Sequence, residues 1–192
     1  MFGLAGLGLL GLALLGFVVG QGSTALDDWF QRLGRHHPAL GYLLAFTDGR
    51  ITLGLCACVV LVLLYQRRWR LAAVVAIAPF LAVLSARLAK SLFGRYRNDA
   101  LAYPSGHTTL AVVVLGMTVL VAGAATWMVI AATVVAVLGV VGQGVTYHFF
   151  TDAVGAVFLG TTLVAVLAVA ATGSRSKLDG CQPGCDVGHS GR

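Results

Sequence analysis

An all-α polytopic membrane protein, a six-transmembrane-helix bundle, is the fold this sequence predicts. Three observations lead there: 58% of the 192 residues are hydrophobic, only 10% are charged, and the mean hydropathy is +0.90. A soluble domain carries roughly a quarter charged residues, and several windows here approach the ~20 apolar residues that cross a hydrocarbon core. This composition excludes a soluble globular domain. The chain has no Glu and a net charge of +6. A basic balance points to nucleic acid or to anionic lipid, and the placing of much of the basic charge in short loops at helix ends favours lipid.

The six predicted spans occupy residues 2–20, 40–65, 71–89, 107–122, 127–147 and 153–172, with Asp48 and Arg50 near the outer end of the second. The first lacks a basic leading segment, and its apolar run is longer than that of a secretory signal, so it reads as a retained anchor. Residues 1–173 form the predicted membrane domain. Residues 174–192, rich in Gly and Ser and poor in apolar side chains, read as a flexible cytoplasmic tail. Trp29, Trp69 and Trp127 fall near span ends, where amphipathic rings favour the interface.

Orientation follows from the free basic residues. The short turn holding Arg67, Arg68 and Arg70 predicts a cytoplasmic face. An even number of spans then puts both termini on that side, and the loops after spans one, three and five outside. The third loop carries Lys90, Arg95 and Arg97, which opposes the charge rule unless those side chains bind an anion. In either orientation, residues 90–107 and 148–152 share one face.

Three segments on that face carry chemistry. Lys90 lies three residues after Arg87, so both can occupy one side of the third helix. Arg95 and Arg97 follow, and arginine's planar fork suits phosphate oxygens while lysine adds a point charge. Each is also compatible with snorkelling at a helix end. Pro104-Ser105-Gly106-His107 opens the fourth helix: Ser105 is a candidate cap, Gly106 allows close backbone approach, and the free amides favour an anion. His107 is placed to give a proton to a leaving oxygen. Alone, the tetrapeptide is equally a capped helix start. His148 and Asp152 stand four apart, so the carboxylate can hold one imidazole nitrogen and leave the other to attack. Alone, they equally serve to settle the end of span five.

Taken together, in this order and spacing, the segments resemble the type 2 phosphatidic acid phosphatase superfamily of membrane lipid phosphate phosphatases. Residues 90–97 match a Lys, six residues, then Arg-Pro pattern, with Asn98 in place of the proline. Pro-Ser-Gly-His is complete at residues 104–107. The third pattern, Ser-Arg, five residues, His, three residues, Asp, keeps His148 and Asp152, but Val141 and Gly142 stand where Ser-Arg would fall. A phosphate-binding arginine is therefore missing; Gln143 brings no charge, and Arg95 or Arg87 are candidate substitutes.

The resemblance implies that His148 is the nucleophile, forming a phosphohistidine, with Asp152 orienting it. His107 would protonate the leaving group and later activate water. Lys90, Arg97, Ser105 and Gly106 would hold the phosphoryl oxygens, with Arg95, Arg87 and Gln143 as auxiliaries, and with no metal or other cofactor. The implied substrate is a polyprenyl phosphate or diphosphate, or a glycerolipid phosphate. The implied setting is a bacterial inner membrane with the site on the extracytoplasmic side. The alternatives are a catalytically degenerate scaffold and a phosphotransferase of the same fold. A transporter is disfavoured because the spans are almost free of ionisable groups. Cys56 and Cys58 read as packing residues, Cys181 and Cys185 as reduced thiols in the tail, and His36-His37 as a solvated loop.

Overall fold

The computed structural model describes residues 2–97 and 99–172. Among them are seven α-helices, one long 3-10 segment and a two-stranded ribbon. Helix α1 (Phe2–Val19) lies on the last helix, α7 (Phe150–Thr172), and its glycines let the two approach. A Cβ on Gly11 would sit 2.9 Å from the Phe158 ring, and one on Gly8 would collide with the Thr162 hydroxyl.

Helix α2 (Ala25–His36) was not anticipated in the first loop. It starts at a capping box: Thr24 accepts from the Asp27 amide, and the Asp27 side chain accepts from the Thr24 amide. Its apolar residues Leu26, Trp29, Phe30 and Leu33 recur at helical spacing.

The second predicted span divides in two. Pro38–Thr47 is a 3-10 helix and α3 runs Gly49–Tyr65, with Asp48 between them accepting from the Arg50 and Ile51 amides. Tertiary packing sets this break. The 3-10 segment lies against α6 (Thr126–Val145) at Gly139 and Gly142, where no side chain holds it off.

Helix α4 (Trp69–Phe93) buries a stripe of small residues, Ala72, Val75, Ala78, Ala82, Ala86 and Ala89, and stops at left-handed Gly94. Strands β1 (Tyr96–Arg97) and β2 (Ala100–Leu101) then pair antiparallel and lead into α5 (Gly106–Val121).

One core joins α3, α4, α5 and α7 around Leu63, Val75, Val113 and Met117; a second joins α1, α4 and α7 around Leu12, Ala86, Tyr103 and Leu159. Large apolar side chains such as Phe17, Leu61, Phe80, Leu92 and Trp127 face outward, as a lipid environment requires.

Four helical runs are long and apolar enough to cross a membrane: Pro38–Tyr65, Trp69–Phe93, Thr126–Val145 and Phe150–Ala171. The first and fourth predicted spans are apolar helices but shorter, Gly3–Val19 and Gly106–Val121. The chain is thus a helical, membrane-embedded protein with four runs of full spanning length among the described residues. The tail expectations, including those for Cys181 and Cys185, fall outside those residues.

Candidate active site

The residues singled out by the sequence collect at one end of the bundle because they sit where helices start or stop. Ser105 caps α5: its side chain accepts from the Thr108 amide at 3.5 Å. Its own amide donates to the Asp152 carbonyl at 3.0 Å, tying the start of α5 to the first turn of α7. Its hydroxyl is therefore occupied by the cap. Gly106 is the first residue of α5 and has open space around its Cα. His107 follows it and is exposed.

His148 stands in the turn from α6 to α7. Its amide donates to the Gln143 carbonyl at 3.0 Å, and its carbonyl accepts from Gln31 Nε2 at 3.2 Å. Its Nδ1 lies 3.8 Å from Asp152 Oδ2. Both atoms are buried and neither has another partner. That separation exceeds hydrogen-bond length, but the two atoms face each other, and catalytic contacts of this kind commonly tighten when substrate binds.

Asp152 is fully buried, and its other oxygen accepts from Arg95 at 2.7 Å. Arg95 is only 1% exposed. Its terminal nitrogens also donate to the Thr151 hydroxyl at 2.7 Å, the Gly22 carbonyl at 2.7 Å and Asp27 Oδ2 at 2.9 Å. Expected as an auxiliary phosphate ligand, Arg95 is instead an interior clamp between two carboxylates. Asp27 is equally buried and also accepts from the Thr151 amide at 2.9 Å. Burial works to raise the Asp27 pKa, but donors from Thr151, Thr24 and Arg95 outweigh it and hold the carboxyl below its ordinary range.

The other cations divide. Lys90 Nζ donates to the Leu101 carbonyl at 2.7 Å, tying α4 to β2. Arg97 donates to Gln31 Oε1 at 2.9 Å and to the Thr146 carbonyl at 3.4 Å; it stacks over Phe149, and its second terminal nitrogen has no partner. Arg87 is exposed on α4. Tyr103 is buried beneath the site and donates to the Leu12 carbonyl at 2.6 Å; burial and the Asp152 charge push its pKa up, so it stays a donor.

A polar cavity of about 430 Å³ opens between these ends, lined by Leu44, Thr47, Asp48, His107, Gln143, Tyr147 and His148. It brings His107 and His148 together; Lys90, Arg97, Arg95 and Arg87 do not line it. Gln143 Nε2 donates to Thr47 Oγ1 at 2.9 Å while that hydroxyl donates to the Leu44 carbonyl at 3.2 Å, which fixes the amide orientation. A larger cavity of about 480 Å³ between α1, α5 and α7 has apolar walls and holds none of these groups, so size alone does not locate the chemistry.

No protein-family profile, curated protein or solved structure matches the chain. The family resemblance therefore rests on the motif residues.

At Gly142, where the resemblance would put an arginine, the fold leaves no room for a side chain. A Cβ there would sit 2.5 Å from Leu43 C and 2.6 Å from Leu44 N. The backbone of the 3-10 segment occupies the space a side chain would need, and it carries Thr47 and Asp48 to the cavity wall. The sequence reading also missed Asp27, Gln31, Thr151 and Tyr147. Thr24 and Asp27, three apart before an apolar pattern, were the available sign that a helix begins there.

Proposed function

We propose that this chain is an integral membrane phosphatase that removes the phosphate of a bilayer lipid through a phosphohistidine. In this reading six helices cross the bilayer, the cavity faces the extracytoplasmic side and both termini are cytoplasmic. The observation that carries it is the convergence of His107 and His148 on one cavity, with His148 Nδ1 facing the buried Asp152 carboxylate.

With Nδ1 turned to Asp152, the other ring nitrogen, Nε2, attacks phosphorus. The bond from phosphorus to the lipid oxygen breaks as His107 supplies the proton. His107 then takes a proton from water, the water oxygen attacks phosphorus, and the phosphorus–nitrogen bond breaks to release phosphate. In this reading Lys90, the unpartnered nitrogen of Arg97 and the amides at the start of α5 supply charge and donors to the phosphoryl oxygens, the two cations turning toward a cavity they do not line at rest. Engaging Lys90 requires it to leave the Leu101 carbonyl. The fitting substrates are polyprenyl phosphates or diphosphates and glycerolipid phosphates.

The test is phosphate release by detergent-purified protein from polyprenyl diphosphate, phosphatidate and phosphatidylglycerophosphate, with chelator present. Release from one lipid that disappears in His148→Ala supports the proposal; release unaffected by His148→Ala, or dependent on a divalent ion, overturns it. One observation favours a second reading, a catalytically silent scaffold: the 3-10 backbone fills the place of the family arginine. For a scaffold, His148→Ala leaves the cellular phenotype intact.

A further inference from the structure

Helix α2 reaches the His148–Asp152 pair by two routes, through Arg95 and through the His148 carbonyl. Asp27 takes Arg95 NH2, whose neighbouring NH1 takes Asp152 Oδ1, so a chain of buried ion pairs at 2.9 and 2.7 Å runs from α2 to the carboxylate beside His148. With Oδ1 held by Arg95, Oδ2 is the oxygen left facing the ring. Thr151 closes the circuit: its amide donates to Asp27 at 2.9 Å and its hydroxyl lies 3.0 Å from both Asp27 oxygens. One turn along α2, Gln31 Nε2 donates to the carbonyls of Gly144 at 2.8 Å and His148 at 3.2 Å, while Gln31 Oε1 accepts from Arg97.

Two packing features fix α2 in this position. Phe30 stacks on Phe150 with ring centroids 3.9 Å apart, and a Cβ on Gly34 would collide with the Val145 carbonyl. The inward residues 27, 30, 31 and 34 recur at helical spacing, so one face of α2 meets the α6–α7 corner. The neighbouring Asp28 is exposed and belongs to the other face.

We propose that α2 is a positioning element for the His148–Asp152 pair, with Asp27 acting through Arg95 and Gln31 acting through the His148 carbonyl. This rests on the reading of His148 as the attacking group. Neither Asp27 nor Gln31 lines the cavity; both act on groups that do the chemistry or flank it. Asp27 keeps Arg95 shared between two carboxylates. Without the Asp27 charge, Arg95 is drawn wholly to Asp152 and turns Oδ2 from its position facing the imidazole. Lys90, Arg97, Tyr103 and His107 are the other charged or titratable groups near the pair; none is substituted below, and Asp27→Asn leaves the contacts of all four intact, whereas Gln31→Ala also frees Arg97 from one hydrogen bond.

The experiment compares wild type with Asp27→Asn and Gln31→Ala, and with Asp28→Asn as a charge control. Two readouts are taken on full-length protein in micelles. The first is kcat and KM for phosphate release. In Asp27→Asn and Gln31→Ala kcat falls ~10- to ~100-fold, the scale on which small misplacements of reacting groups act, with KM held within about twofold. Asp28→Asn matches wild type.

The second readout needs no turnover: the imidazole Nδ1–H resonance of His148 in protein labelled with nitrogen-15 histidine, assigned by its loss in His148→Ala. It holds one position in wild type and in Asp28→Asn, and takes a different one in Asp27→Asn, where the Asp152 oxygens turn relative to the ring. An unmoved resonance in Asp27→Asn, or equal shifts in Asp27→Asn and Asp28→Asn, would each overturn the proposal. If no lipid is turned over but the resonance responds as stated, the phosphatase reading fails and the positioning role of α2 stands.

Discussion

Gly142→Ala tests whether the cavity wall depends on the absence of a side chain. An added Cβ would stand 2.5 Å from Leu43 C, 2.6 Å from Leu44 N and 2.8 Å from Leu43 O, whereas ordinary contact begins at 3.4 Å. The 3-10 segment would have to retreat by the difference between 3.4 and 2.5 Å, or 0.9 Å. These are backbone atoms, which cannot swing aside as a side-chain tip can. Overpacking of this kind costs ~1–3 kcal/mol. The retreat also strains the buried bond from Gln143 to Thr47, 2.9 Å long, adding about 1 kcal/mol. A loss of roughly 2–4 kcal/mol lowers the folding equilibrium constant by about 30- to 1,000-fold. The assay is reversible unfolding in mixed micelles of rising SDS fraction, followed by circular dichroism. Stability within about 0.5 kcal/mol of wild type would refute the reasoning, since it would place the change among ordinary surface substitutions. Gly142→Arg, which restores the family pattern on paper, is expected to be less stable still and to release no more phosphate than the parent.

Arg95→Leu leaves Asp27 and Asp152 buried without their shared cation and is expected to cost ~3–5 kcal/mol in the same unfolding assay. Because the folded Asp27 pKa lies below its unfolded value, its stabilisation is fully present above the unfolded pKa and is lost as pH falls through the folded one. Wild type should therefore lose more stability than Asp27→Asn as the pH drops from about 5 to about 3. Gly155→Ala, whose Cβ would collide with the Tyr103 ring, is expected to cost ~1–3 kcal/mol and to release the Tyr103 hydroxyl from Leu12, which infrared or fluorescence measurements on that tyrosine can follow.

Long apolar runs made the helices legible. Helix α4 lies where a span was expected with two to four residues added at each end, and α5, α6 and α7 start within a few residues of their expected positions. The grouping of His107 with His148 was readable because each sits at a helix end, and helix ends on one side of a bundle meet. What the sequence did not show came from tertiary packing. Arg95 and Arg97 are two residues apart and look alike as candidates for phosphate. Both stack on Phe149, and only the fold turns Arg95 onto the carboxylates of Asp27 and Asp152 while leaving Arg97 with no carboxylate and a terminal nitrogen unpaired. The 3-10 segment was hidden for a related reason: its residues are as apolar as a helical span, and its conformation follows from lying against glycines more than ninety residues away.

The break at Asp48 also sets how deep the cavity lies. Helix α3 has 17 residues and α5 has 16, so at 1.5 Å per residue each measures ~25 Å. A hydrocarbon layer of ~30 Å consumes such a helix entirely. The layer exceeds either helix by only ~5 Å, so in the proposed six-span reading its boundary lies within a few ångströms of where they begin, at Asp48 and at Gly106-His107. In the proposed reading the cavity therefore lies near the level where oil gives way to headgroups, where a lipid substrate presents its ester without lifting its tail from the leaflet.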